Sequence, residues 1–180
     1  MARLLFAIAL SLALLPAPAA AQKSGTAGGK GKMIYWANPK TMEKGEVAFA
    51  PKVSWAYVDS SSPAGKRINV VLTATEAPLA ILPAAKGHAD ARRKWCQEKK
   101  VSFVALELND KGGVELLHQC ANGHFGTEMV STINGLDSVV VKLDVFNGKQ
   151  IKGTLRGGEG SCDDQYCEQT EDYVFDAPLN

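Results

Sequence analysis

The sequence predicts a mainly β protein: an antiparallel β-sandwich or open barrel of about nine strands with one short helix. Three observations support this prediction. Short β-branched or alternating segments recur along the chain, turn-forming residues separate them, and only one segment has helical spacing. The strongest hairpin signal is Asn147-Gly148, which lies between the apolar segments 137–146 and 151–155.

The strand candidates are, in chain order, 33–36, 47–50, 53–58, 68–73, 101–108, 114–120, 137–146, 151–155 and 173–176. Pro51 cannot donate a hydrogen bond to a sheet ladder, so it marks a bend or an edge between the second and third candidates. Residues 109–113 have turn composition. Segment 114–120 is therefore predicted to return beside 101–108 as a hairpin.

One helix is predicted between Ala84 and Lys99, with Asp90 as the cap of its firmer part. Its apolar side is made by Ala84, His88, Ala91 and Trp95. Its other sides carry four basic residues, Arg92, Arg93, Lys94 and Lys99. We interpret these residues as a solvated face rather than as a patch for an anionic partner.

The N-terminus has the order of an export signal. Arg3 precedes an apolar run, 4–15, that is too short to span a bilayer comfortably, and two prolines and small residues follow it. We interpret residues 1–21 as a signal peptide, which predicts a periplasmic or secreted protein without stable membrane insertion. An uncleaved anchor and a buried helix are the alternatives.

Residues 22–32 contain no apolar side chain larger than that of alanine and predict a flexible linker, because they bury too little surface to offset their ordering entropy. Residues 33–180 then form a single β-rich domain. The formal net charge is +1, and losing Arg3 with the signal peptide leaves the mature chain about neutral. Interspersed charges of this kind do not favour nucleic-acid binding.

Three segments resemble a group of exported bacterial β-rich domains of unknown function. They are strand 68–73 with its continuation to Pro78-Leu79, strand 104–108 with the Asp-Lys-Gly-Gly turn, and the closing segment 172–179. The resemblance covers residues 68–179 and rests on strand and turn patterns. It implies an exported, sandwich-like bacterial domain, transfers no functional residue, and does not include the cysteines.

All four cysteines follow the signal peptide: Cys96, Cys120, Cys162 and Cys167. In an oxidising compartment two disulfides are expected, with three possible pairings. We favour Cys96 with Cys120 and Cys162 with Cys167, because 151–155 and 173–176 look like arms of one hairpin whose tip holds the second pair. Zinc binding and redox catalysis are disfavoured, because both typically use Cys-x2-Cys pairs.

An acidic segment, 159–172, contains six carboxylates and no Lys or Arg. In a loop held by the second disulfide, Asp163, Asp164 and Glu168 are candidate calcium ligands, although the ligand spacing of an EF-hand is absent. A solvated acidic surface is the simpler interpretation. For contact with a partner, the candidates are Asp163, Asp164 and Tyr166, since tyrosine is enriched at interfaces.

Residues 118–124 provide a second metal candidate. His118 and Cys120 share one face of a strand, and a turn at Asn122-Gly123 is expected to bring His124 back toward them. A hairpin end with exposed histidines is the simpler interpretation, and the one that we favour.

The chain contains no nucleophile elbow, zinc-protease helix, phosphate loop or dinucleotide-binding turn, so no catalytic residue is assigned. The leading hypothesis is an exported, non-enzymatic binding domain. It would present the acidic loop to a protein or glycan of the cell envelope, for example as an inhibitor of a secreted hydrolase. A metal-dependent hydrolase using His118 and His124, and a structural envelope protein, are the alternatives.

Overall fold

The computed structural model describes residues 23–38, 40–41, 43–60, 65–76, 88–98, 101–129, 139–157, 166–170 and 172–179. These residues form twelve strands and one helix. They are β1 (Gly25–Gly28), β2 (Gly31–Asn38), β3 (Glu43–Phe49), β4 (Val53–Asp59), β5 (Arg67–Thr73), α1 (His88–Gln97), β6 (Phe103–Leu108), β7 (Val114–Ala121), β8 (His124–Met129), β9 (Val139–Phe146), β10 (Gln150–Gly157), β11 (Tyr166–Thr170) and β12 (Tyr173–Pro178). The predicted fold class, mainly β with one short helix, is confirmed.

Nine strands form one curled antiparallel sheet shaped like a half-barrel, in the order β8-β7-β6-β5-β4-β1-β12-β10-β9. The other three form a small sheet in the order β11-β2-β3. The two hairpins predicted from turn composition are present, because β6 pairs with β7 and β9 pairs with β10 antiparallel. The turn compositions at 109–113 and at Asn147-Gly148 therefore predicted the chain reversals correctly.

The main core lies between the two sheets. Alternate residues of the large sheet, such as Val70 and Leu72 on β5, point toward it and are fully buried. Met33 and Phe49 of the small sheet cover it from the other side, and the Phe49 ring meets Tyr173 edge to face at 5.6 Å. Each large apolar side chain buried in this way contributes about 1.5–3 kcal/mol to the free energy of unfolding.

A strand occupies part of the segment that the sequence analysis assigned to a flexible linker. Gly25–Gly28 pairs with β12 on one side and with β4 on the other. A Cβ atom at Gly25 would lie 1.8 Å from the carbonyl oxygen of Asp176, so glycine is what lets the β12 backbone approach. The linker prediction was wrong for these residues, because ladder hydrogen bonds rather than apolar side chains hold the strand in place.

Residues 1–21, interpreted as a signal peptide, lie outside the described residues, as do 84–87 and Lys99 of the predicted helix. In the part of the chain that the structure describes, no helix has the length and apolarity needed to cross a membrane.

Replacing Gly25 by alanine tests the close approach of β1 and β12. We expect Gly25→Ala to lower the free energy of unfolding by about 1–3 kcal/mol, because its methyl group meets backbone that cannot move aside alone. Gly148→Ala is the matched control, since a Cβ atom there has nothing within 4 Å. Urea unfolding of both variants gives the measurement, and equal losses for the two would contradict the assignment.

Candidate functional site

The outer side of the large sheet has two different halves. Over β4 to β8, helix α1 packs on it and makes a second apolar cluster that includes Trp55, Trp95 and Phe103. Over β1, β12, β10 and β9 the outer side carries exposed residues, and Val174 and Val140 are 49% and 50% exposed. We call the half over β4 to β8 the covered half and the half over β1, β12, β10 and β9 the open half.

A disulfide attaches the helix to the covered half. Cys96 of α1 is bonded to Cys120 of β7, with the two Cα atoms 5.4 Å apart. Both cysteines are buried, and the pairing is the one favoured from the sequence. Closing a loop of this length restricts the unfolded chain and corresponds to about 3.5 kcal/mol in the chain-entropy description.

A buried ionic cluster lies beneath the helix, centred on Arg92, whose side chain has no exposed surface. The guanidinium donates to the hydroxyl of Tyr57 at 2.8 Å and to Asn69 Oδ1 at 2.9 Å. It also donates to Glu107 Oε1. His118 Nε2 lies 2.8 Å from the same carboxylate oxygen. One helix and four strands therefore meet in a single hydrogen-bonded group.

The prediction that Arg92 belongs to a solvated face was wrong. Cys96 follows it by four residues and shares its side of the helix, so the disulfide turns Arg92 toward the sheet. Arg93 and Lys94 are exposed, as predicted, and Arg93 lies over the Phe125 ring at 5.5 Å.

Sequence reasoning missed the partners of Arg92 on the strands. Tyr57, Asn69 and Glu107 are directly opposite one another on β4, β5 and β6. This row depends on strand register, and the only signal for it in the sequence is a polar residue that interrupts each apolar run.

The environment of the cluster shifts the pKa values of its members. Burial alone would raise the pKa of Glu107, but the hydrogen bond from His118 and the charge of Arg92 hold it below its usual 4.5. Burial lowers the pKa of His118 below its usual 6.5, and the charge of Arg92 acts in the same direction. Burial also raises the pKa of the Tyr57 hydroxyl. At neutral pH His118 is therefore uncharged, and its Nε2–H donates to ionised Glu107.

The ion pair is tested by comparing a buried carboxylate with an exposed one. Glu107→Ala leaves the buried Arg92 charge without its anion, so we expect a loss of about 3–5 kcal/mol in the free energy of unfolding. Glu46→Ala is the control: it removes the exposed pair with Lys32, at 2.7 Å, and should cost at most about 1 kcal/mol. Similar losses in urea unfolding would show that Arg92 does not depend on Glu107.

Acidification should destabilise the protein in two steps. Below about pH 6.5, unfolded chains bind a proton at His118 that folded chains bind only at lower pH, so the free energy of unfolding falls. The contribution of Glu107 is lost only when the pH falls through its folded-state pKa, below 4.5. Urea unfolding at several pH values measures both steps. His118→Gln should remove the first step and keep the second, and an unchanged first step would contradict the prediction.

The candidate metal arrangement of His118, Cys120 and His124 is not formed. Asn122 and Gly123 have positive φ, 50° and 88°, and make the expected turn. Cys120 is paired with Phe125 and Ala121 with His124, so His124 lies on the inner face, opposite to His118.

The surroundings of the two histidines confirm this separation. His124 stacks on Tyr35 at 4.6 Å, and His118 stacks on Phe125 at 5.6 Å. The favoured interpretation was correct about the hairpin end, since β7 pairs with β8, but wrong about the exposure of His118, which is 3% exposed. Across the described ranges, no three His, Cys, Asp or Glu side chains are grouped so that they could hold a metal ion.

The acidic segment is only partly described. Its predicted arms do pair, as β10 and β12. Between them, Tyr166–Thr170 forms β11, which pairs with β2, so Tyr166 and Glu168 belong to a strand of the small sheet rather than to a free hairpin tip. Cys162, Asp163 and Asp164 lie outside the described residues, and their disulfide, calcium and partner roles remain predictions.

The open half of the outer side contains two adjoining recesses, with volumes of about 280 and about 390 Å³, that share Thr26 and Asp176. We call them together the outer groove. Its floor crosses β1, β12 and β10 in two rows. One row is Thr26, Asp176 and Lys152, and the next is Gly28, Val174 and Thr154.

The polar groups of the outer groove are available to a ligand. Asp176 Oδ1 accepts a hydrogen bond from Gln150 Nε2 at 2.5 Å, and the second carboxylate oxygen makes no hydrogen bond within the described residues. Within the described residues, the side chains of Lys152, Thr26 and Thr154 make no hydrogen bond or ion pair. Side-chain donors and acceptors therefore lie next to one another on a sheet surface whose backbone groups are hydrogen-bonded to the neighbouring strands.

In comparisons with protein-family models, with curated proteins and with solved structures, nothing matches this chain.

Proposed function

We propose that this protein is an exported binding domain that holds its partner in the outer groove. The observation behind the proposal is the row Thr26, Asp176 and Lys152, which offers unused polar groups on three neighbouring strands of a continuous sheet. The backbone of a continuous sheet is held more rigidly than that of a loop, so the spacing of the three residues is set before a partner arrives.

Two features support an exported protein. The order of basic, apolar and small residues over 1–21 is that of a signal peptide. The buried Cys96–Cys120 disulfide suits an oxidising compartment such as the periplasm or the cell exterior. A partner in that compartment is a component of the cell envelope or of the medium.

The covered half of the sheet supports binding indirectly. Arg92 and the disulfide hold α1 over β4 to β8, and β4 is bonded to β1 at the edge of the outer groove. The Ser54 hydroxyl on β4 lies 2.9 Å from the carbonyl oxygens of Thr26 and Asp176. These contacts fix β1 and β12, which form the floor of the groove.

The proposal is tested by co-sedimentation of the purified mature protein with an envelope fraction from the cells that export it. We expect Lys152→Ala to reduce the bound fraction at least about tenfold, because a hydrogen bond from a charged group contributes about 1.5–3 kcal/mol. Lys66→Ala is the matched control, since Lys66 is an exposed lysine that does not line the groove. It should bind like the unmodified protein.

A second variant separates the groove from the acidic loop. The double change Asp163→Asn and Asp164→Asn should leave the bound fraction unchanged. If that variant loses binding while Lys152→Ala retains it, the partner is held by the acidic loop and the outer groove is not the binding site.

A further inference from the structure

We propose that the outer groove takes a neutral oligosaccharide, as a segment of an envelope or extracellular polysaccharide. This inference rests on the proposed function and names the chemical class of its ligand. It follows from the charge balance of the groove, from its mixture of donors and acceptors, and from an exposed valine beside them.

The charges that line the outer groove cancel. Two lysines, Lys149 and Lys152, and two aspartates, Asp144 and Asp176, lie along the two recesses. Asp144 is paired with Lys142 at 3.6 Å, just beyond the lining. A polyanion would meet the aspartates, and a polycation would meet the lysines. A ligand without net charge avoids both penalties.

The hydrogen-bonding groups of the row suit hydroxyl groups. The Lys152 ammonium offers three donors, the second oxygen of Asp176 accepts, and the Thr26 hydroxyl does both. A sugar hydroxyl also donates and accepts, so neighbouring hydroxyls of one ring can bond to neighbouring members of the row. Strands in a sheet are about 4.8 Å apart, so the row spans about 10 Å, the scale of a short saccharide segment.

The second row supplies an apolar surface. Val174 is 49% exposed at its centre, and Gly28 beside it has no side chain. A Cβ atom at Gly28 would lie 3.3 Å from Val174 Cγ2, so a side chain there would begin to cover the valine. The C–H face of a sugar ring can lie on Val174 while its hydroxyl edge meets the polar row.

The backbone pairing of β1 argues against an extended peptide as the ligand. Peptides that add to sheets bond to an unpaired strand edge, but β1, β12 and β10 are each bonded on both sides. Recognition in the outer groove must therefore use side chains, which suits a ligand that carries hydroxyls along its whole length.

The test is an NMR titration of the mature protein with neutral oligosaccharides of four backbones: cellohexaose, chitohexaose, maltohexaose and laminarihexaose. We expect at least one of them to shift the amide resonances of Thr26, Gly28, Lys152 and Val174 in a saturable manner. Lys152→Ala and the isosteric Thr154→Val should each raise the Kd, the former at least about tenfold. Lys66→Ala should leave the Kd unchanged, and unchanged amide spectra outside the groove show that each variant is folded.

Three results would overturn the inference: no saturable shifts with any of the four, binding of a heparin oligosaccharide instead, or shifts confined to residues outside the groove. The co-sedimentation assay separates this failure from failure of the proposed function. If Lys152→Ala loses envelope binding but no neutral oligosaccharide binds, the groove is a binding site for another ligand class. If Lys152→Ala keeps envelope binding, the proposed function fails as well.

Discussion

The ion pair between Arg92 and Glu107 determines where helix α1 can lie. A buried guanidinium without an anion is costly, so the helix docks where Arg92 reaches Glu107, Tyr57 and Asn69 together. A buried ion pair adds little net stability compared with an apolar contact of the same size. Its effect is instead on specificity. Any other position of the helix is less stable, because it would leave a charge unpaired in an apolar cluster. The Cys96–Cys120 disulfide then holds the same helix to β7.

The two halves of the curled sheet differ in what covers them. The inner side is closed along the sheet by the small sheet and the main core. On the outer side, the helix, the disulfide and the ionic cluster cover β4 to β8, while the four remaining strands keep an exposed surface. β4 is held in place by the helix and is hydrogen-bonded to β1. The covered half therefore stabilises the floor of the outer groove, while the groove itself stays open.

The sequence predicted those features that depend on local chemistry. Asn147-Gly148 and the turn at 109–113 predicted hairpins that the structure contains. The expected pairing of 151–155 with 173–176 favoured the Cys96–Cys120 disulfide, which is also present. Features that depend on register were not predictable. Arg92 looks like an exposed helix residue until the strands place Glu107 beneath it, and His118 and His124 look like neighbours until the turn puts them on opposite faces. The outer groove was missed for the same reason, since its row joins residues that are distant in the chain.

Two glycines of β1 differ in how strictly the fold requires them. At Gly25 the fold leaves no choice, because a Cβ atom would meet the Asp176 backbone at 1.8 Å. At Gly28 the nearest obstacle is a side-chain methyl group at 3.3 Å, and φ is not positive, so a small side chain would need only a slight shift of Val174. Alanine would also favour the strand, since glycine in a strand loses more entropy on folding. Glycine at position 28 therefore lowers the free energy of unfolding slightly relative to alanine, and it leaves Val174 exposed to a ligand.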